Sequence, residues 1–220
     1  MLKKSNFQIE YNRQGYYGLL NGEPLLSKEQ HVIYAPNAPI IRLLYEELCQ
    51  LEKDKINPED GVIFRMISHA VDASRSKSYN TPINSLLQQD HYLQIQAKIS
   101  KQRSADLFPV LTDILESHGL EQARLDKLNR KHWQWISSQL KGTDYWERSF
   151  LLEMGQKGYL ILSLVFINNH LTIPLYSEYC LISQGLEPSK ARADFAQFIK
   201  SHSTEFTYLR LLCGKSDLAQ

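Results

Sequence analysis

From Ile56 to Asp72 the sequence reads INPEDGVIFRMISHAVD, and few conformations other than a two-faced helix accommodate it. Pro58 fits a first helical turn, where its missing N–H is not needed, and Glu59 and Asp60 complement the positive end of the helix dipole. Wound at about 100° per residue, Val62, Ile63, Met66, Ile67, Ala70 and Val71 cover one half of the wheel. Arg65, Ser68, His69 and Asp72 gather on the other half, with Arg65, His69 and Asp72 at i, i+4 and i+7 along one stripe. Two readings of that stripe stay open. It is either a solvated face or an Arg–Asp set that fixes the helix to a neighbour or to a partner protein.

The chain before this helix carries strand signals. Phe7 and Ile9 lead to the turn-like Asn12-Arg13-Gln14-Gly15, then Tyr16, Tyr17, Leu19 and Leu20 run into Asn21-Gly22. Asn-Gly between apolar runs marks a type I′ hairpin, because both residues tolerate positive φ. Pro24 keeps the next strand short or at an edge, and Val32, Ile33 and Tyr34 make a further strand. This small antiparallel meander needs a cover. Asn37 is a plausible N-cap with Pro39 just inside, and Ile40, Ile41, Leu43, Leu44, Leu48 and Leu51 recur at helical spacing. That helix and the Ile56–Asp72 helix can roof the meander, an α+β first module.

Ala73–Asn84 is polar and reads as a loop. Leu86–Ala97 is ambiguous; its alternation leans towards a strand that closes the sheet. After about residue 98 the signals are helical. Ser104 is a candidate cap for a helix through Leu107, Val110, Leu111, Ile114 and Leu115 to Gly119, in which Pro109 is tolerated only near the first turn. A second helix carries Leu125, Leu128, Trp133, Ile136 and Leu140 up to Gly142. A third, capped by Thr143 or Asp144, runs through Phe150, Leu151, Leu152 and Met154 into Gly158–Ile167, which is apolar all round and so belongs at a centre. Pro174 and Pro188-Ser189 introduce two more. The expected architecture is a β-rich α+β domain over residues 1–98, with two helices, followed by an all-α helical-bundle domain over residues 99–220.

The 220 residues suffice for real cores, and 43% hydrophobic with 22% charged residues is an ordinary globular composition. Lys+Arg 25 against Asp+Glu 24 leaves a formal charge of +1, which gives no bulk electrostatic reason to expect nucleic acid or an anionic membrane. Cys49, Cys180 and Cys213 are widely spaced within apolar patterns and read as small buried residues in a reducing compartment. MLKKSNFQIEY has no apolar run after its lysines, and Gly158–Ile167 is too short to span a bilayer. The expectation is a cytoplasmic protein without membrane insertion. A mitochondrial matrix relative fits only if a transit peptide has been removed.

The sequence resembles the family of assembly chaperones that hold the alpha subunit of the F-type ATP synthase in mitochondria and some bacteria. The residues that carry this are Ile56, Pro58, Arg65, Met66, Ser68, Ala70, Val71 and Asp72, which match the family's helix without a gap; Asn57 and Ser68 depart from its Asp and Asn. Leu19 to Pro24 matches the family's strand and turn, Pro36 and Glu47 match a proline and a late glutamate around the next helix, and Leu48 stands where the family has tryptophan. Gln102, Pro109-Val110-Leu111 and Gly158–Leu171 parallel two later helices. Past Leu171 the family's acidic segment has no counterpart; LISQGLEPSKARADFAQ stands there instead, a departure that bears on the client and not on the fold. The resemblance implies two domains, no enzyme activity, no cofactor and the ATP synthase alpha subunit as client. It also marks Glu47, Arg65 and Asp72 as partner-binding residues or structural anchors.

No Gly-x-Gly-x-x-Gly, P-loop, Gly-x-Ser-x-Gly or His-Glu-x-x-His occurs. The seven histidines, among them His31, His69, His91, His118 and His132, have no Cys or second His at metal-ligand spacing. Hence no catalytic, cofactor or metal residue is assigned. His132 beside Trp133 and Trp135 suggests ligand stacking, against which stands one core and one surface tryptophan. Arg124, Lys127, Arg130 and Lys131 read as a solvated face, and the Glu46-Glu47 pair needs a cleft to do acid–base work. Trp133, Trp135, Tyr145, Trp146, Tyr176 and Tyr179 are candidates for a client-binding patch. A chaperone, an interaction module with another client, and an enzyme of unrecognised type are the readings carried forward.

Overall fold

The computed structural model describes residues 7–54, 57–75, 83–120, 128–168 and 171–213; Ile56, Arg124, Leu125 and Lys127 lie outside them. The chain forms two compact units, each assembled from separate segments. Unit 1 takes residues 1–80, 145–153 and 204–216, and unit 2 takes 81–144, 154–203 and 217–220.

Unit 1 contains the sheet. Strands β1 (Phe7–Asn12) and β2 (Gly15–Leu20) pair antiparallel, and the far edge of β2 is shared by two short strands. β3 (Glu23–Pro24) pairs with Leu19 and Leu20, and β4 (Tyr34–Ala35) pairs with Tyr16 and Tyr17. Asn21 and Gly22 both adopt positive φ, 56° and 85°, so the predicted type I′ turn joins β2 to β3. Asn37 Oδ1 accepts from Ile40 N at 3.1 Å and starts α1 (Ala38–Asp54), as expected. A 3₁₀ turn (Pro58–Asp60) leads into α2 (Val62–Arg75), which runs through Ala73, Ser74 and Arg75 into the segment read as loop. Helix α1 packs on β1, β2 and β4, and α2 packs on α1 and β4. Ile33, Ile40, Ile41, Leu44, Ile63, Ile67 and Val71 are fully buried between them. Residues 145–153 open α8 (Tyr145–Gln156) and residues 204–213 lie in α12 (Ser203–Cys213), a helix that the sequence reading did not foresee. They add Phe150, Phe206 and Tyr208 to the same core.

Unit 2 is helical: α3 (Ile83–Gln88), α4 (His91–Gln96), α5 (Lys101–Leu107), α6 (Pro109–Ser117), α7 (Arg130–Gly142), α9 (Leu160–Ile167), α10 (Ile173–Ser183) and α11 (Pro188–Ser201). Leu160–Phe166 are buried without exception, and α3, α4, α7 and α10 surround α9, the central helix that its unbroken apolar run predicts. The strand expected over Leu86–Ala97 is instead two short helices. Asp90 Oδ1 caps α4 through Leu93 N at 3.1 Å, while its Oδ2 accepts from Ile161 N of α9 at 3.0 Å. One carboxylate thus ties two helix starts together. Burial pushes that carboxyl up to about 7, against the backbone N–H groups that favour its anion.

Two further boundaries differ from expectation. Ser100, not Ser104, caps α5; Ser104 is buried within it, and Phe108, kept out of the helical region by the proline that follows, separates α5 from α6. The helix expected to run continuously from residue 144 to 167 breaks at Gly158, whose φ is +85°. A Cβ there would lie 2.6 Å from the His91 ring and 2.9 Å from Gln89 O, so the chain can turn at this point only as glycine. Among the described residues no helix is long and apolar enough to cross a membrane.

Candidate functional site

The polar stripe of α2 is not solvated. Ser68 and Asp72 are buried, Arg65 and His69 half-buried, and the three residues singled out from sequence each hold α2 at a different point.

Glu47 comes from the last turns of α1. Its Oε1 accepts from Ile63 N at 2.9 Å and its Oε2 from Phe64 N at 3.0 Å, so it caps the start of α2 with a side chain from another helix. Burial raises its pKa, opposed by the backbone donors Ile63, Phe64 and Val62 and by Arg65. Glu46, its neighbour, faces solvent, so the pair does not share a cleft.

Arg65 reaches residue 153 of α8. Its Nη2 donates to Glu153 Oε1 at 2.7 Å and its Nε to Oε2 at 3.2 Å, a two-pronged pair, while Nη1 meets Asp60 O. Glu153 is buried at 5% side-chain exposure against 32% for Arg65.

Asp72 holds a turn. Ser27 Oγ donates to its Oδ1 at 2.6 Å, and His31 Nδ1 lies 2.9 Å from the same oxygen. The turn is closed by Gln30 N to Ser27 O and Ser27 N to His31 O, with Gln30 at positive φ. Arg65 and Asp72 therefore do not pair with each other. Between them Ser68 and His69 face a cavity of about 210 Å³, walled by Phe64, Arg65 and Asp72 on α2 and by Lys28 and Glu29 on the turn. Burial lowers the His69 pKa despite Asp72 nearby.

Other candidates fall into plain structural positions. Asn129 and His132 form a reciprocal cap at the start of α7: His132 Nδ1 accepts from Asn129 N at 3.1 Å, and Asn129 Oδ1 accepts from His132 N. Trp135 is buried and Trp133 is 36% exposed, one of each as expected. Of the aromatics proposed for a patch, Tyr176 and Tyr179 are core residues, Trp146 packs edge-on against Tyr34, and Tyr145 is 45% exposed. Scanning for histidine spacing missed the contact between His31 and Asp72. They are far apart in sequence, and only the closed turn brings them together.

No family profile and no curated protein matches this sequence. Solved structures do. Atp12 from Paracoccus denitrificans superposes with a TM-score of 0.61 over 96% of this chain and 97% of its own, at 13% identity. A variant of the same Paracoccus protein gives 0.58 at 16% identity, over 94% and 96%. The Atu1473 protein of Agrobacterium tumefaciens, described as a candidate chaperone, gives 0.56 at 16% identity, over 93% and 81%. Over nearly its whole length, this chain has the fold of Atp12.

Proposed function

We propose that this protein is a non-enzymatic assembly chaperone whose client is the alpha subunit of the F-type ATP synthase. The observation that supports this reading most is the likeness to Atp12 along nearly the whole of both chains, joined to the match of residues around Arg65 and Asp72 described above. Such a protein would cover the subunit-contact surface of a newly made client, exclude self-association and withdraw on assembly. Trp133 in unit 2 and Tyr145 in unit 1 are exposed aromatics of the kind that make such contacts. We assign Glu47, Arg65 and Asp72 to anchoring α2, since their bonds run to Ile63, Phe64, Glu153, Ser27 and His31. The cytoplasm is the compartment proposed.

Affinity capture of the tagged chain from native lysate of its own host tests the assignment. The alpha subunit is expected in the eluate, with recovery lowered by Trp133→Ala or Tyr145→Ala. Consistent capture of another protein in its place would transfer the fold to a different client.

A further inference from the structure

Asp72 does more than receive Ser27 and His31. Both arrive on Oδ1, and Oδ2 accepts no hydrogen bond from a described residue. One helical turn back, Ser68 is 5% exposed and its Oγ has no hydrogen-bond partner. Ser68 and Asp72 both face the 210 Å³ cavity. An unsatisfied buried polar group costs about 1–3 kcal/mol, so the Ser68 hydroxyl calls for a partner from the cavity.

The turn opposite supplies the rest of a ligand set. Glu29, His31 and Asp72 each present one ligand atom, all within 4.8 Å of one another. We propose that these three residues bind a divalent cation of the zinc class. An imidazole with two carboxylates suits zinc and its neighbours; magnesium and calcium favour all-oxygen shells. A tetrahedral zinc about 2.1 Å from each ligand atom sets those atoms about 3.4 Å apart. His31 Nδ1 and Asp72 Oδ1 stand 2.9 Å apart, so side-chain rotation alone, or use of the unpartnered Oδ2, makes the room. Glu29 and Asp72 line the cavity, and a water would complete the shell. The ion would lie between two carboxylates and replace the hydrogen bond that now joins His31 to Asp72. Ser27 keeps its bond to Oδ1 and orients the carboxylate, as supporting groups around metal ligands do. Lys28 is the cation across the cavity, while Arg65 is already neutralised by Glu153.

Calorimetric titration of the chelator-treated full chain with zinc chloride, paired with thermal melts, tests the site. One zinc per chain is expected, with a melting temperature that rises on zinc addition and falls back with EDTA. Glu29→Gln and His31→Asn should each weaken binding by more than about tenfold, the loss seen even when only a supporting partner is removed. Glu29 is exposed and His31 half-buried, so both variants should keep the fold, which circular dichroism would verify. Absence of binding overturns the proposal. So does unchanged affinity in both variants, as zinc held by Cys49 or Cys180 would give, and so does magnesium or calcium binding as tightly as zinc.

Discussion

Truncating Arg65 to alanine would take the two-pronged guanidinium away from the buried Glu153 carboxylate. Removing one partner of a fully buried pair costs about 3–5 kcal/mol, and a surface pair is worth about 0–1. With Arg65 at 32% exposure and Glu153 at 5%, a loss of about 2–3 kcal/mol is expected in urea unfolding. Adding Glu153→Gln to Arg65→Ala should recover part of it, because the buried charge is gone. Asp90 contributes a pH dependence of known sign. Its carboxyl titrates at about 7 when folded and near 3.8 otherwise, so the folded state holds the proton more tightly. The stability from that proton is complete below the unfolded value and disappears as pH rises through the folded one. The stability difference between wild type and Asp90→Asn should therefore shrink as pH climbs from about 4 to about 7. A difference independent of pH would mean that the carboxylate is already ionised across that range.

At the level of elements, local signals were readable and distant ones were not. Asn21-Gly22, Asn37 and the apolar run of α9 state their structure within a few residues, and each stands where those residues put it. Leu86–Ala97 did not, because a short apolar run fits either period, and its helical choice is fixed by Asp90 reaching Ile161. The site shows the same division. The α2 stripe could be drawn on a wheel, but the partners of Arg65 and Asp72 lie 88 and 41 or 45 positions away. The break between α8 and α9 can be tested directly. Gly158→Ala places a Cβ against His91 and Gln89 at a φ of +85°, and should cost more than about 2 kcal/mol. Gly22→Ala, also at positive φ but with open space around it, should cost about 1 kcal/mol. Equal costs in thermal melts would show that backbone strain alone, and not the crowding at His91, sets the penalty.

Across the molecule, unit 1 draws on three stretches of chain. Asn37 Nδ2 donates to Leu211 O at 2.8 Å, Arg65 pairs with Glu153, and Ser149 Oγ lies 3.0 Å from Tyr208 Oη. A fragment of residues 1–98 keeps the sheet, α1 and α2 but exposes the faces that Phe150, Phe206 and Tyr208 cover. It is expected to lack a cooperative melt, and residues 145–213 supplied as a second fragment should not be needed if the sheet and its two helices suffice alone. The same arrangement bears on synthesis. The ribosome releases the hairpin and α2 early, yet the carbonyl of Leu211 that meets Asn37 emerges far later. At roughly 5–20 residues per second, the nascent unit waits on the order of ten seconds with the apolar faces that Phe206 and Tyr208 will cover still exposed. A protein proposed to shelter another chain in that condition must first pass through it itself.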